Sequence, residues 1–80
     1  MTKEEILIEV QSIISSLLKK DVTITFDTVA KDVEGWDSLS HITIVSAVER
    51  KFNFKFKMKD VVNMKNVGEM VDIIMSNMEG

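Results

Sequence analysis

The chain has 80 residues and a formal net charge of −3, from ten Lys and Arg against thirteen Asp and Glu. A domain of this size buries only about 60% of the surface its unfolded chain exposes, so modest stability and no deep, elaborate active site are expected. The absence of cysteine excludes disulfides, thiolate nucleophiles and Cys-based metal sites, and the acidic balance disfavours bulk nucleic-acid binding.

Met1-Thr2-Lys3-Glu4-Glu5 is acidic where a signal peptide would be basic, and no apolar run approaches the ~20 residues that span a bilayer. The expectation is a soluble, unprocessed, cytoplasmic protein, one domain over residues 1–80 and a monomer, with no stable membrane binding. Thr2 and Glu5 form a capping-box signature, after which Ile6, Val10, Ile13, Ile14 and Leu17 recur at helical spacing. This pattern predicts an amphipathic helix over 3–18, closed by the cations Lys19 and Lys20.

From Asp21 to Trp36 the helical period disappears, and sixteen residues is long for a loop in so small a domain. Val22, Ile24 and Phe26 alternate with threonines, which suggests a strand. No convincing partner strand lies nearby, so a loop pinned by Ile24, Phe26, Val29 and Val33 is preferred. Asp37 is placed as N-cap of a second helix from Ser38 to about residue 51, with Leu39, Ile42, Val45, Val48 and Phe52 inward. Its β-branched residues lower its intrinsic propensity, so packing must hold it.

Phe52, Phe54, Phe56 and Met58 then alternate with Lys51, Asn53, Lys55, Lys57 and Lys59. An extended connection, apolar side in and lysines out, is expected, followed by a short helix around 58–64. Asn66 with Glu69 repeats the capping logic for a last helix over 67–78, with Val67, Met70, Val71, Ile74 and Met78 inward. The fold class that emerges is all-α: an antiparallel four-helix bundle of three longer helices and one short helix, with a long loop between helices 1 and 2.

Gly35-Trp36-Asp37-Ser38-Leu39 places a serine where the long loop meets a helix N-terminus, whose free N–H groups and dipole favour an attached anion by about 0.3–1 kcal/mol when exposed. Four helices, the long first loop and G-x-D-S-L opening the second helix resemble the acyl carrier protein family, with its peptidyl and aminoacyl carrier relatives. Glu49 followed by Phe52, and Asn66-Val67-Gly68, extend the resemblance over nearly the whole chain. It implies that Ser38 is esterified by 4′-phosphopantetheine, transferred from coenzyme A by a phosphopantetheinyl transferase, with Asp37 and Leu39 as recognition neighbours. The thiol of that arm would hold acyl or aminoacyl groups as thioesters, supplied and consumed by activating and acyl-transferring enzymes. Trp36, Ser40, His41, Thr43, Ser46 and Glu49 are the candidate partner-facing positions.

Many family members line this helix with carboxylates that steer basic partners, whereas here it is nearly uncharged and is followed by Arg50, Lys51, Lys55, Lys57 and Lys59. This departure suggests a dedicated pathway with its own enzymes. Three alternatives accompany the carrier reading. Ser38 is an ordinary cap of an unmodified interaction domain, or a nucleophile with His41 as its base, or the carrier is of the aminoacyl or peptidyl kind. Trp36 either covers the loop or docks a partner, and the methionines of the last third fill core gaps or adapt to a lipid chain. The lysine cluster is read as solvated edge charge rather than as a site for anionic lipid or coenzyme A phosphates. One histidine and no cysteine leave no metal constellation.

Overall fold

The computed structural model describes residues 2–79 as four α-helices, α1 (Lys3–Leu18), α2 (Ser38–Phe52), α3 (Met58–Asn63) and α4 (Val67–Glu79), with a 3-10 turn at Ala30–Asp32. No strand occurs among the described residues, so the all-α expectation holds. α1 opens with the expected capping box: the Glu5 N–H donates to Thr2 Oγ1 at 3.2 Å and the Thr2 N–H to Glu5 Oε1 at 2.8 Å. No helix among the described residues is long and apolar enough to cross a membrane.

α1 packs against both α2 and α4. Their shared core comprises Ile6, Val10 and Ile14 from α1, Ile44, Val45 and Val48 from α2, and Val67, Met70, Val71 and Ile74 from α4. The expected stripes fail at the helix ends: Leu17 and Met78 are exposed. On α2 the correction is larger. Leu39 and Ile42 point outward, and Ile44, absent from the expected stripe, is fully buried. Helical residues advance by about 100°, so the line through Val45, Val48 and Phe52 continues back to His41 and leaves Leu39 on the opposite side.

The segment after α1 is extended but belongs to no sheet, because its backbone groups pair elsewhere. The Val22 N–H donates to Ser15 Oγ at 3.1 Å, and the Ile24 N–H to Gln11 Oε1 at 2.9 Å, both on α1. On its other edge, Phe26 and Thr28 carbonyls accept the Gly68 and Val67 N–H groups of α4, each at 2.8 Å. Those pairings answer the objection that a lone strand cannot satisfy its own hydrogen bonds. Of the expected pins, Ile24 and Val33 are buried and Phe26 and Val29 half-buried, and Val22 joins them. Gly68 is required by the close approach, since a Cβ there would lie 2.7 Å from the Phe26 carbonyl oxygen.

After α2 the chain turns at Asn53, at a φ of 58°. As expected, Phe54 and Phe56 face inward, their rings edge-on at 4.8 Å between centroids, while Lys55 and Lys57 are exposed. Met58, expected inward, instead starts α3 in an exposed position, as side chains on that first turn project beyond the core. Among the later methionines Met70 is fully buried, Met64 and Met75 half-buried, and Met78 exposed, so core filling explains only part of the set.

Candidate functional site

The approach to α2 is a short series of turns with fixed chemistry. Gly35 has a φ of +95°, a conformation that suits glycine, although a Cβ there would make only ordinary contacts with Leu18. The Trp36 N–H donates to the Val33 carbonyl at 3.1 Å, and Ser40 Oγ donates back to the Gly35 carbonyl at 2.7 Å. Asp37 is the N-cap, its carboxylate accepting the Ser40 N–H at 2.9 Å. That amide holds the Asp37 carboxyl below its ordinary value, so the cap is a carboxylate. Its negative charge offsets part of the attraction the helix dipole would exert on a second anion. Electrostatics at this helix end therefore permit an attached phosphate rather than drive it there.

Ser38 is the first residue of α2 and is exposed. Leu39 beside it is 82% exposed, the most exposed large apolar side chain described. Ser38 lies on the lip of an open groove of about 530 Å³ walled by Trp36, Ile42, Val61, Val62 and Met64, with Lys31 as its single cation. A second open depression, of about 510 Å³, lies at the other end of α2 among Ser46, Glu49, Arg50 and Lys55 and does not include Ser38.

The six candidate partner-facing residues separate in the structure. Thr43 and Ser46 are exposed as expected. Ser40 is half-buried and bonded to Gly35, and Glu49 is half-buried with Oε2 accepting the Phe56 N–H at 2.7 Å, so it braces the connection to α3. Trp36 covers the loop: it is 8% exposed and belongs to the core. His41 is half-buried between Trp36 Nε1, 3.2 Å from its Nδ1, and the Val61 carbonyl, 3.4 Å from its Nε2. Both residues also line the open groove beside Ser38, and the Trp36–His41 pair and the Glu49 brace were not foreseen. The signal for His41 was its helical phase, masked by its polarity.

Both ring nitrogens of His41 thus face partners other than Ser38. Comparison with known proteins gives the family. A family model described as the phosphopantetheine attachment site matches residues 9–74. The chain is 40% identical over 75 residues to an acyl carrier protein of Exiguobacterium sibiricum, covering 92% of this chain and 95% of that one. To an acyl carrier protein of Cyanidium caldarium it is 38% identical over 76 residues, covering 92% and 87%. The solution NMR structure of holo acyl carrier protein from Geobacter metallireducens matches with a TM-score of 0.81 at 30% identity, covering 88% of this chain and 82% of that one.

The chain belongs to the acyl carrier protein family. It is a carrier rather than an enzyme, and 4′-phosphopantetheine is its covalently attached prosthetic group. Membership also implies a phosphopantetheinyl transferase and acyl-handling enzymes as partners.

Proposed function

We propose that Ser38 bears the phosphopantetheine, and that residues 1–80 act as one carrier domain presenting it to dedicated partner enzymes. The supporting observation is the exposure of Ser38 at the start of α2, on the lip of an open groove with an apolar wall. The donor set fits the group: a free hydroxyl for the ester, Lys31 on the groove for a phosphodiester, and apolar side chains for the arm beyond it. When attached, the arm supplies a thiol that holds carboxylic acids as thioesters.

In the attachment step Ser38 Oγ would bond to the phosphorus nearer the pantetheine of coenzyme A as that phosphorus lost its bond to the bridging pyrophosphate oxygen, the Oγ proton going to the transferase and the nucleotide leaving with the second phosphate. Asp37 fixes the helix end so that this hydroxyl keeps one position. Leu39, with Thr43 and Ser46, offers the transferase and later partners a neutral surface, where charge steering would be weak. The nearly uncharged helix supports a dedicated pathway rather than housekeeping fatty-acid synthesis. Cargo of fatty acyl, polyketide, aminoacyl or peptidyl type fits the same thioester chemistry. The acidic, cysteine-free sequence supports a monomer working in the cytoplasm.

Intact mass spectrometry after incubation with coenzyme A and a promiscuous phosphopantetheinyl transferase is the test. One added phosphopantetheine on the native chain and none on Ser38→Ala is expected. An unchanged gain in Ser38→Ala would overturn the assignment. Efficient loading and elongation by general fatty-acid synthesis enzymes would overturn the dedicated-pathway reading alone.

A further inference from the structure

We infer that Trp36 determines which cargo this carrier serves: with His41 it closes the helical interior, so the chain carries short acyl groups and gives long alkyl chains no shelter. The inference rests on Ser38 as the attachment point. Two spaces meet at these rings. On the outer side is the open groove of about 530 Å³ with Ser38 on its lip, and on the inner side a cavity of about 50 Å³ bounded by Thr28, Met64, Asn66 and Met70. Trp36 and His41 line both and form the partition between them.

Packing and hydrogen bonding close that partition together. The Trp36 indole packs in the core and its Nε1 donates to His41 Nδ1 at 3.2 Å, with the two rings inclined by only 23°. The far side of the cavity is held as firmly. The Thr28 carbonyl accepts the Val67 N–H at 2.8 Å and the Asn66 side chain accepts the Glu69 N–H at 2.9 Å, so parting the loop from α4 to enlarge the space breaks bonds whose groups would lie unpaired. Deeper still, Ile44, Val48, Met70 and Ile74 are fully buried, and close-packed side chains leave no room to fill.

Volume then sorts the cargo. Water's share of its liquid is about 30 Å³ and a methylene group is of similar size, so the cavity has room for about two carbons. Shifts of the flexible Met64 and Met70 side chains can extend this to a short acyl group, whereas an octanoyl chain needs the space the indole occupies. The outer groove is no substitute. Its apolar wall of Ile42, Val61, Val62 and Met64 is open to solvent, and Lys31 and Asp37 line it too. An arm folded back along this groove brings its cargo against the closed partition, and an extended arm leaves it in water. A short group loses little in either place, but a long alkyl chain forgoes most of the burial that would favour it.

The test loads the full chain with acetyl-, butyryl-, octanoyl- and dodecanoyl-phosphopantetheine from the matching coenzyme A thioesters and a promiscuous phosphopantetheinyl transferase, then follows thermal unfolding and methyl NMR. Intact mass should show one acyl-phosphopantetheine on the native chain and none on Ser38→Ala. The expected midpoint stays within about 1 °C across the series, and octanoyl differs from acetyl only at the Ile42, Val61 and Val62 methyls. Trp36→Leu, which keeps a smaller apolar side chain in the core, should gain at least about 4 °C from octanoyl over acetyl, with the Met70 methyl shifted. If that variant does not fold, the native series decides alone. A long chain that stabilises the native protein by as much, or moves its Ile44 and Met70 methyls, would overturn the inference. So would a folded Trp36→Leu chain as indifferent to length as the native one. Equal loading of Ser38→Ala defeats the attachment assignment alone, and length-dependent stability in a chain loaded only at Ser38 defeats the inference alone.

Discussion

The α1–α4 seam and the α3 flank use the same kinds of side chain to opposite ends. Val67 and Val71 of α4 are fully buried against Ile6, Val10 and Ile14, and at Gly68 the backbone comes so close to the loop that no Cβ fits. Adjacent valines on α3 meet far less: Val61 is half-buried and Val62 exposed. One side concentrates the burial that offsets conformational entropy in a small domain, leaving the other side free to be wetted, to move and to frame Ser38. Ion pairs do not blur this contrast. Lys3 and Asp72 meet at 2.8 Å across the seam, yet both side chains are more than half exposed, so solvent screens most of their attraction.

Substitutions can break or sharpen the contrast, beginning with the seam. Ile74→Ala should cost about 2–5 kcal/mol in urea unfolding, a large fraction of the stability of so small a domain. Gly68→Ala should cost about 1–3 kcal/mol, since the clash is with backbone that cannot rotate away. Gln11→Ala strips the acceptor from the part-buried Ile24 N–H and should cost about 1 kcal/mol, with faster exchange at Ile24 as its local signature. On the other flank, Val62→Ser should change stability by less than about 0.5 kcal/mol. A loss there as large as at Gly68 would erase the distinction between the two regions.

The smallest effect is pH-dependent. The Thr2 amide lowers the Glu5 pKa and the Ser40 amide lowers that of Asp37. A depressed carboxyl contributes stability above its unfolded pKa and loses it as pH falls through the folded one. Lys3 is shifted the other way, raised by its hydrogen bond to Asp72, so its contribution is complete below the unfolded lysine value and is lost only as pH rises through the folded one. Acid unfolding curves should therefore flatten slightly in Glu5→Gln, while the alkaline limb stays unchanged.

What was legible in the sequence had local causes. Thr2 with Glu5 fixed the start of α1, Asp37 the start of α2, and Asn66, whose side chain accepts the Glu69 N–H at 2.9 Å, the start of α4. The start of α2 misled because the apolar Leu39 and Ile42 are exposed, whereas polar His41 occupies the inward phase. Hydrophobic identity and helical phase disagreed there, and phase prevailed. The anchoring of residues 22–28 was hidden for another reason. Its partners are a glutamine, a serine and the backbone N–H groups at the start of α4, none of which leaves a periodic signal.

Because Gln11 and Ser15 hydrogen-bond the backbone of Ile24 and Val22, the loop leading to Ser38 and the middle of α1 form one exchangeable unit. A chimera that imports residues 21–37 from a relative into this chain will inherit the correct path only if positions 11 and 15 supply the same acceptors. A graft of this loop should therefore carry positions 11 and 15 with it and meet a Val67-Gly68 pair at the start of α4, whose N–H groups hold the Thr28 and Phe26 carbonyls.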